Sequence, residues 1–206
     1  MAEWFAVITI TVLAVISPGP DFAMVSRNAL SLSHRAGLLT ALGIGAGVLV
    51  HVCYTLLGIG LLIRYSPGLL EAMKLAGAAY LIWLGAKMLL SRPRNATEAE
   101  TDRVASNFSA LRMGFLTNAL NPKTSIFIIS LFTQVVGEST PLVTRIAYGG
   151  FISFAHVVWF AAVALFFGAP LLRQKLLGVS HWIDRVFGAV LISFGVSLAI
   201  ADLALG

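Results

Sequence analysis

The sequence predicts an all-α polytopic membrane protein with six transmembrane helices, arranged as two inverted three-helix repeats. Three observations lead there: an apolar composition, six hydrophobic stretches of spanning length, and matching motifs in the two halves. Hydrophobic residues make up 58% of the 206-residue chain and charged residues 11%, with a mean hydropathy of +0.91. Water-soluble domains carry about 25% charged residues, and a domain this small leaves much of its surface exposed. Lipid as the solvent removes that conflict. The formal net charge of +5 does not point to nucleic acid, because the basic residues lie in short loops rather than along one polar face.

A spanning helix needs about 20 mostly apolar residues. Trp4–Val25, Ala36–Ile63, Leu69–Leu90, Leu111–Val136, Leu142–Leu172 and Trp182–Leu205 meet that requirement. The second and fifth are long enough to tilt. The first lacks a basic segment before it and a small-x-small cleavage site after it, so it reads as a retained helix and not a cleaved signal. One polar run, SRPRNATEAETDRVASN at 91–107, divides the chain. Residues 1–90 are then a first three-helix repeat, 91–110 a polar cytoplasmic linker, and 111–206 a second repeat.

Basic residues give the orientation. Arg27, Arg35, Lys87, Arg92, Arg94, Arg103, Arg112, Arg173, Lys175 and Arg185 fall on one side of the predicted spans, against Arg64, Lys74 and Arg145 on the other. The rich side is expected to be cytoplasmic, which puts both termini in the periplasm.

The halves share motifs in the same order. Pro20-Asp21 corresponds to Pro122-Lys123, His51-Val52-Cys53-Tyr54 to His156-Val157-Val158-Trp159, and Lys74-Leu75-Ala76-Gly77-Ala78 to Arg185-Val186-Phe187-Gly188-Ala189. Three helices per half is an odd number, so the second half must enter from the opposite side. Inverted repeats of this kind mark alternating-access transporters, and interrupted helices at matching positions point to the binding site.

Two stretches carry such interruptions. Ser17-Pro18-Gly19-Pro20-Asp21 removes two backbone donors within three residues, so the first helix should break there. Asp21 then puts a carboxylate at membrane depth, at a cost of about 2.5–3.5 kcal/mol on insertion scales. Asn118-Ala119-Leu120-Asn121-Pro122-Lys123 is the counterpart. Pro122 frees a carbonyl one turn earlier, Asn121 can cap a restarted helix through its side-chain oxygen, and Lys123 brings an ammonium too deep to snorkel easily. One reading pairs Asp21 with Lys123 as a structural pin between the first and fourth helices. The other has the substrate carboxylate at a helix N-terminus and Lys123, and the substrate ammonium at Asp21. Asp21 is also a candidate for the coupling proton.

His51 and His156 are intramembrane and symmetry-related, so a satisfied packing role stands beside a proton-relay or gate role. Too few further ligands accompany them for a metal site, and no cofactor is expected. The Gly43–Gly47 spacing lets helices approach closely, within one protomer or between two copies in a homodimer. Cys53, the only cysteine, reads as a packing residue. Glu71, Lys87, Asp184 and Asp202 lie near helix ends and read as solvated. Tyr80, Trp83, Trp159 and Trp182 mark interfaces or core.

SPGPDF at 17–22, KLAGAAYLIWLGAKML at 74–89 and GFLTNALNPK at 114–123 resemble the lysine-exporter family, over nearly the whole chain. Pro-Gly-Pro-Asp and Trp182-Ile183-Asp184 lean toward its threonine-exporter branch. The resemblance implies a bacterial inner-membrane exporter of amino acids, driven by proton antiport, with Pro18, Gly19, Pro20, Asp21, Asn121, Pro122 and Lys123 as the positions to test. A metal-ion exporter or channel of the wider superfamily is the alternative. An enzyme is disfavoured: HExxH, GxSxG and paired cysteines are absent, leaving only a Ser17–His51 arrangement.

Overall fold

The computed structural model describes residues 2–58, 66–90, 103–137, 139–169 and 180–200. Within them the chain forms α1 (Ala2–Ile16), α2 (Pro20–Arg27) with a π-helical turn at Asn28–Leu32, α3 (His34–Leu56), α4 (Pro67–Leu89), α5 (Arg103–Ala119), α6 (Pro122–Gln134), α7 (Leu142–Phe167) and α8 (Ser180–Ile200). Helices α3, α7 and α8 are each long and apolar enough to cross a bilayer. The α1–α2 segment makes a fourth candidate span if its two parts, bent by 58°, are counted together. Helix α4 contains a shorter apolar run, Leu75–Leu89, and α5 is separated from α6 at Leu120-Asn121.

Both breaks fall where proline demands them. Pro20 and Pro122 each occupy the first turn of the restarted helix, where a missing N–H does no harm and φ is already helical. Helix α5 begins at Arg103, inside the 91–110 stretch expected to be a linker. Residues 91–102, and the ends of the second, fifth and sixth predicted spans at 59–63, 170–172 and 201–205, lie outside the described residues, as does Asp202.

The outer surface of the fold is apolar, unlike that of a soluble protein. Large apolar side chains face outward on every long helix, among them Phe5, Leu13, Leu49, Phe154, Leu165, Phe166 and Val186. Polar ones are buried, including Asp21, Asn28, Thr40, His51, Asn118 and Ser125. Apolar surface of this extent is stable only against lipid.

Helix α3 is the centre, packed between α5 and α7. Small residues set that contact. A Cβ on Gly43 would strike the Leu111 carbonyl oxygen, and one on Gly114 the Thr40 carbonyl oxygen, so the α3 and α5 backbones touch reciprocally. Gly47 likewise faces Asn118 on α5, while Gly45 faces Val157 and Ser153 on α7. The Gly43–Gly47 stripe is therefore used within the protomer. Helix α4 packs on α8 in the same manner, through Gly85 and Gly188.

Two local expectations change, and the tryptophans divide between the two roles left open. Cys53 is exposed on α3 and does not pack inside. Asp184 is not simply solvated: its Oδ1 accepts from Arg27 Nε at 2.8 Å with both side chains mostly covered, tying α2 to α8. Trp83 and Trp182 are exposed, whereas Trp159 packs with the core cluster of Val25, Ala41, Ile44 and Phe160.

Gly43→Leu should separate α3 from α5, because the obstacle is backbone and cannot rotate away. Overpacking of this kind costs about 1–3 kcal/mol or more. The expected result is a lower melting temperature and loss of the monodisperse peak in detergent, with Gly150→Leu, which meets open space, as the tolerated control.

Candidate functional site

The two helix breaks meet, with Ser17, Pro18 and Lys123 exposed and Gly19, Pro20, Asp21, Asn121 and Pro122 buried behind them. Asp21, one residue into α2, is 7% exposed. Its Oδ2 accepts from Asn118 Nδ2 at 2.9 Å and from Asn121 Nδ2 at 3.3 Å. Its Oδ1 is buried and has no partner among the described residues. The carboxylate is thus bound on one oxygen only, by the two asparagines that flank the other break.

Asn121 does two jobs. Its Oδ1 accepts from the Lys123 backbone N–H at 3.0 Å, which caps α6 as its sequence position suggests, and its Nδ2 reaches Asp21. Gly19 precedes α2 with no side-chain cap at all. Asn118 sits on the last turn of α5. Its amide also donates to Thr124 Oγ1 at 3.3 Å.

Lys123 does not form an ion pair with Asp21. Its Nζ donates to Ser17 Oγ at 3.0 Å, to the Ser17 carbonyl at 3.1 Å and to the Pro18 carbonyl at 3.4 Å. In an uninterrupted helix those carbonyls would accept from residues 21 and 22. Pro20 ends that ladder, and the ammonium takes its place at the negative end of the α1 dipole. The direct Asp21–Lys123 pin is therefore replaced by two separate ties between the breaks, one neutralising helix-end carbonyls and the other holding a carboxylate.

Between these ties lies a small cavity that opens to the outside. Ser17, Gly19, Asp21, Asn121 and Lys123 line it, together with Thr124, Phe22, Phe127, His156 and Phe160. Of the residues singled out from sequence, Pro18 does not line it and accepts from Lys123 Nζ through its carbonyl, Pro20 and Pro122 shape the helix starts, and Asn118 holds Asp21 without lining it. Thr124, Phe22, Phe127 and Phe160 were not anticipated. Thr124 adjoins Lys123, and Phe160 lies one turn after His156, so helical spacing from the motif residues would have found both.

The two histidines are placed differently. His51 is fully buried, with Nε2 donating to the Asn118 carbonyl at 2.8 Å and Nδ1 2.6 Å from the Tyr54 hydroxyl. That hydroxyl is 2.7 Å from Ser125 Oγ on α6. A chain of hydrogen bonds therefore runs from the end of α5 through α3 to the start of α6. His156 uses Nδ1 to donate to the Ile152 carbonyl at 2.8 Å and lines the cavity. No hydrogen bond joins the two rings.

Apolar on its outer surface, with buried polar side chains and charged groups gathered at two helix breaks, the chain is a multi-pass membrane protein built as a transporter. It belongs to the LysE type translocator family, whose description matches residues 12–202. It is 33% identical to the threonine efflux protein of Salmonella typhimurium over 98% of this chain and 99% of that one. It is 32% identical to the threonine efflux protein of Escherichia coli K12, over 96% and 98%. An uncharacterized membrane protein of Bacillus subtilis, YrhP, is 25% identical over 98% and 100%. No solved structure matches the chain.

Asn118→Ala removes the shorter of the two donors to a buried carboxylate. A hydrogen bond to a charged group contributes about 1.5–3 kcal/mol. The variant is expected to melt earlier than wild type in detergent. Adding Asp21→Asn on top should cost much less than it costs alone, a coupling that a double-mutant cycle of melting temperatures would reveal.

Proposed function

We propose that this protein is a secondary active exporter of neutral amino acids such as threonine and homoserine. The reading rests above all on one observation: a buried carboxylate with a free oxygen and a lysine ammonium line the same cavity between two broken helices. An amino acid is a zwitterion, and such a cavity offers each of its charges a counterpart. The substrate ammonium is taken by Asp21 Oδ1. The substrate carboxylate is taken by Lys123, beside the uncapped N-terminus of α2. Ser17 and Asn121 supply neutral hydrogen bonds. The names of the threonine efflux relatives agree with this chemistry.

The transport cycle follows from the architecture we infer. Six spans form two inverted repeats, and the α1–α2 and α5–α6 breaks are the matching interruptions. The protein sits in the bacterial inner membrane with both termini periplasmic. Export is coupled to protons. Asp21 is the primary carrier. His51, whose Nδ1 adjoins the Tyr54 hydroxyl, and His156, which lines the cavity, are the further proton-coupling candidates.

Efflux from cells preloaded with dipeptides tests this directly. Overexpression should speed the loss of one or a few neutral amino acids, and an uncoupler should abolish the gain. Asp21→Asn and Lys123→Ala should each lower that efflux at least tenfold while the protein still reaches the membrane. Full export by both variants, or no amino acid moved by the wild type, would remove the proposal and bring metal ions forward.

A further inference from the structure

The polar side chains lining the cavity come from the two broken segments, with one exception. Ser17 and Asp21 belong to the first break, and Asn121, Lys123 and Thr124 to the second. His156 comes from α7, a helix with no break. Its neighbours on that side are aromatic: the Phe160 ring lies 6.2 Å away, centroid to centroid, and Phe127 and Phe22 also face the space.

The chemistry of its free nitrogen is fixed by the bound one. Nδ1 lies 2.8 Å from the Ile152 carbonyl oxygen. A carbonyl oxygen only accepts, so Nδ1 carries the hydrogen. In the neutral ring, Nε2 then holds a lone pair and no hydrogen. Among the described residues the one hydrogen bond that His156 makes is through Nδ1, and the ring, 5% exposed, lines the cavity. This is a fixed acceptor among the apolar and aromatic side chains of the cavity, Ala14, Val15, Phe22, Phe127 and Phe160. His51, with both nitrogens engaged, has no such capacity.

We propose that His156 Nε2 accepts a hydrogen bond from a hydroxyl on the substrate's side chain, and so separates hydroxy amino acids from their apolar isosteres. The inference rests on the cavity being an amino-acid site. Threonine and valine have nearly the same shape and differ by a hydroxyl in place of a methyl. A purely aromatic pocket separates such a pair poorly. A pocket with a buried acceptor disfavours valine strongly, because valine covers the lone pair and gives it nothing.

Three forms of the full chain decide the matter: wild type, His156→Phe and His156→Gln. Export of preloaded threonine and valine is measured for each, alongside the melting shift each amino acid gives the purified protein. His156→Phe should lower the threonine-over-valine ratio by about tenfold or more, mainly through weaker threonine binding, with valine held as well or better. His156→Gln should recover much of the ratio, since its side-chain oxygen can accept from a similar position. Equal loss for both amino acids would overturn the proposal and give His156 to the common ammonium or to packing. An unchanged ratio would overturn it too. If the Phe variant does not fold, His156→Leu and the Gln form are read by the same criteria. A wild type that neither exports nor binds either amino acid fails at the prior reading, and the hydroxyl role falls with it. A wild type that handles both, with a ratio insensitive to residue 156, leaves the exporter intact and removes only His156.

Discussion

A helix that breaks in a membrane must satisfy its own ends, because no lipid will. That constraint organises the centre of this protein. Two segments break beside proline, and each leaves backbone groups without helical partners. The second break answers the first: Lys123 covers the Ser17 and Pro18 carbonyls, while Asn118 and Asn121 hold the carboxylate that starts α2. Water could have served these groups cheaply in a soluble domain. Here the protein supplies the donors itself, and by doing so it brings a carboxylate and an ammonium to one cavity without letting them neutralise each other.

Around that centre, rigidity and freedom are distributed unevenly. Helix α3 is locked to α5 by backbone contacts at Gly43 and Gly114, and α4 is locked to α8 at Gly85 and Gly188. Contacts of this kind have no side chain to repack, so these pairs behave as blocks. At the α1–α2 break Gly19 faces the Lys123 side chain and no backbone, whereas at the α5–α6 break the Leu120 carbonyl lies against Gly77 of α4; side-chain hydrogen bonds join the two breaks to each other. The Arg27–Asp184 pair and the Glu3 carboxylate, which accepts from Gly137 N–H, Thr140 Oγ1 and the Tyr148 hydroxyl at 3.0 Å each, fasten the two ends of the broken first segment to α8 and to the α6–α7 turn.

Much of this could be read from the sequence, for local reasons. Prolines at 20 and 122 dictate the breaks wherever the surrounding helices lie, and Asn121 caps its own helix, so neither needs knowledge of the fold. The apolar stretches located α3, α7 and α8 because hydropathy is a one-dimensional property. What stayed hidden depends on helix rotation and on partners far along the chain. Asn118 reads as a polar residue near a motif, and nothing in its neighbourhood says that Asp21 will meet it. The Asp21–Lys123 pairing failed for the same reason: opposite charges at matching positions suggest a bond, but Lys123 finds orphan carbonyls first. The two histidines share a motif position yet differ in hydrogen bonding, since Tyr54 has a hydroxyl where Trp159 has none.

Lys123 holds the end of α1 with the same three hydrogens that an anion in the cavity would seek. Any carboxylate that takes the ammonium must take it from Ser17 and Pro18. On the proposed reading, occupancy of the cavity and the fastening of the first half-helix are rivals for one group, so a bound carboxylate would weaken the ties from Lys123 to Ser17 and Pro18. A cation on a flexible stem, shared in that way between cargo and scaffold, would be a mechanical link that requires no signal to travel any distance.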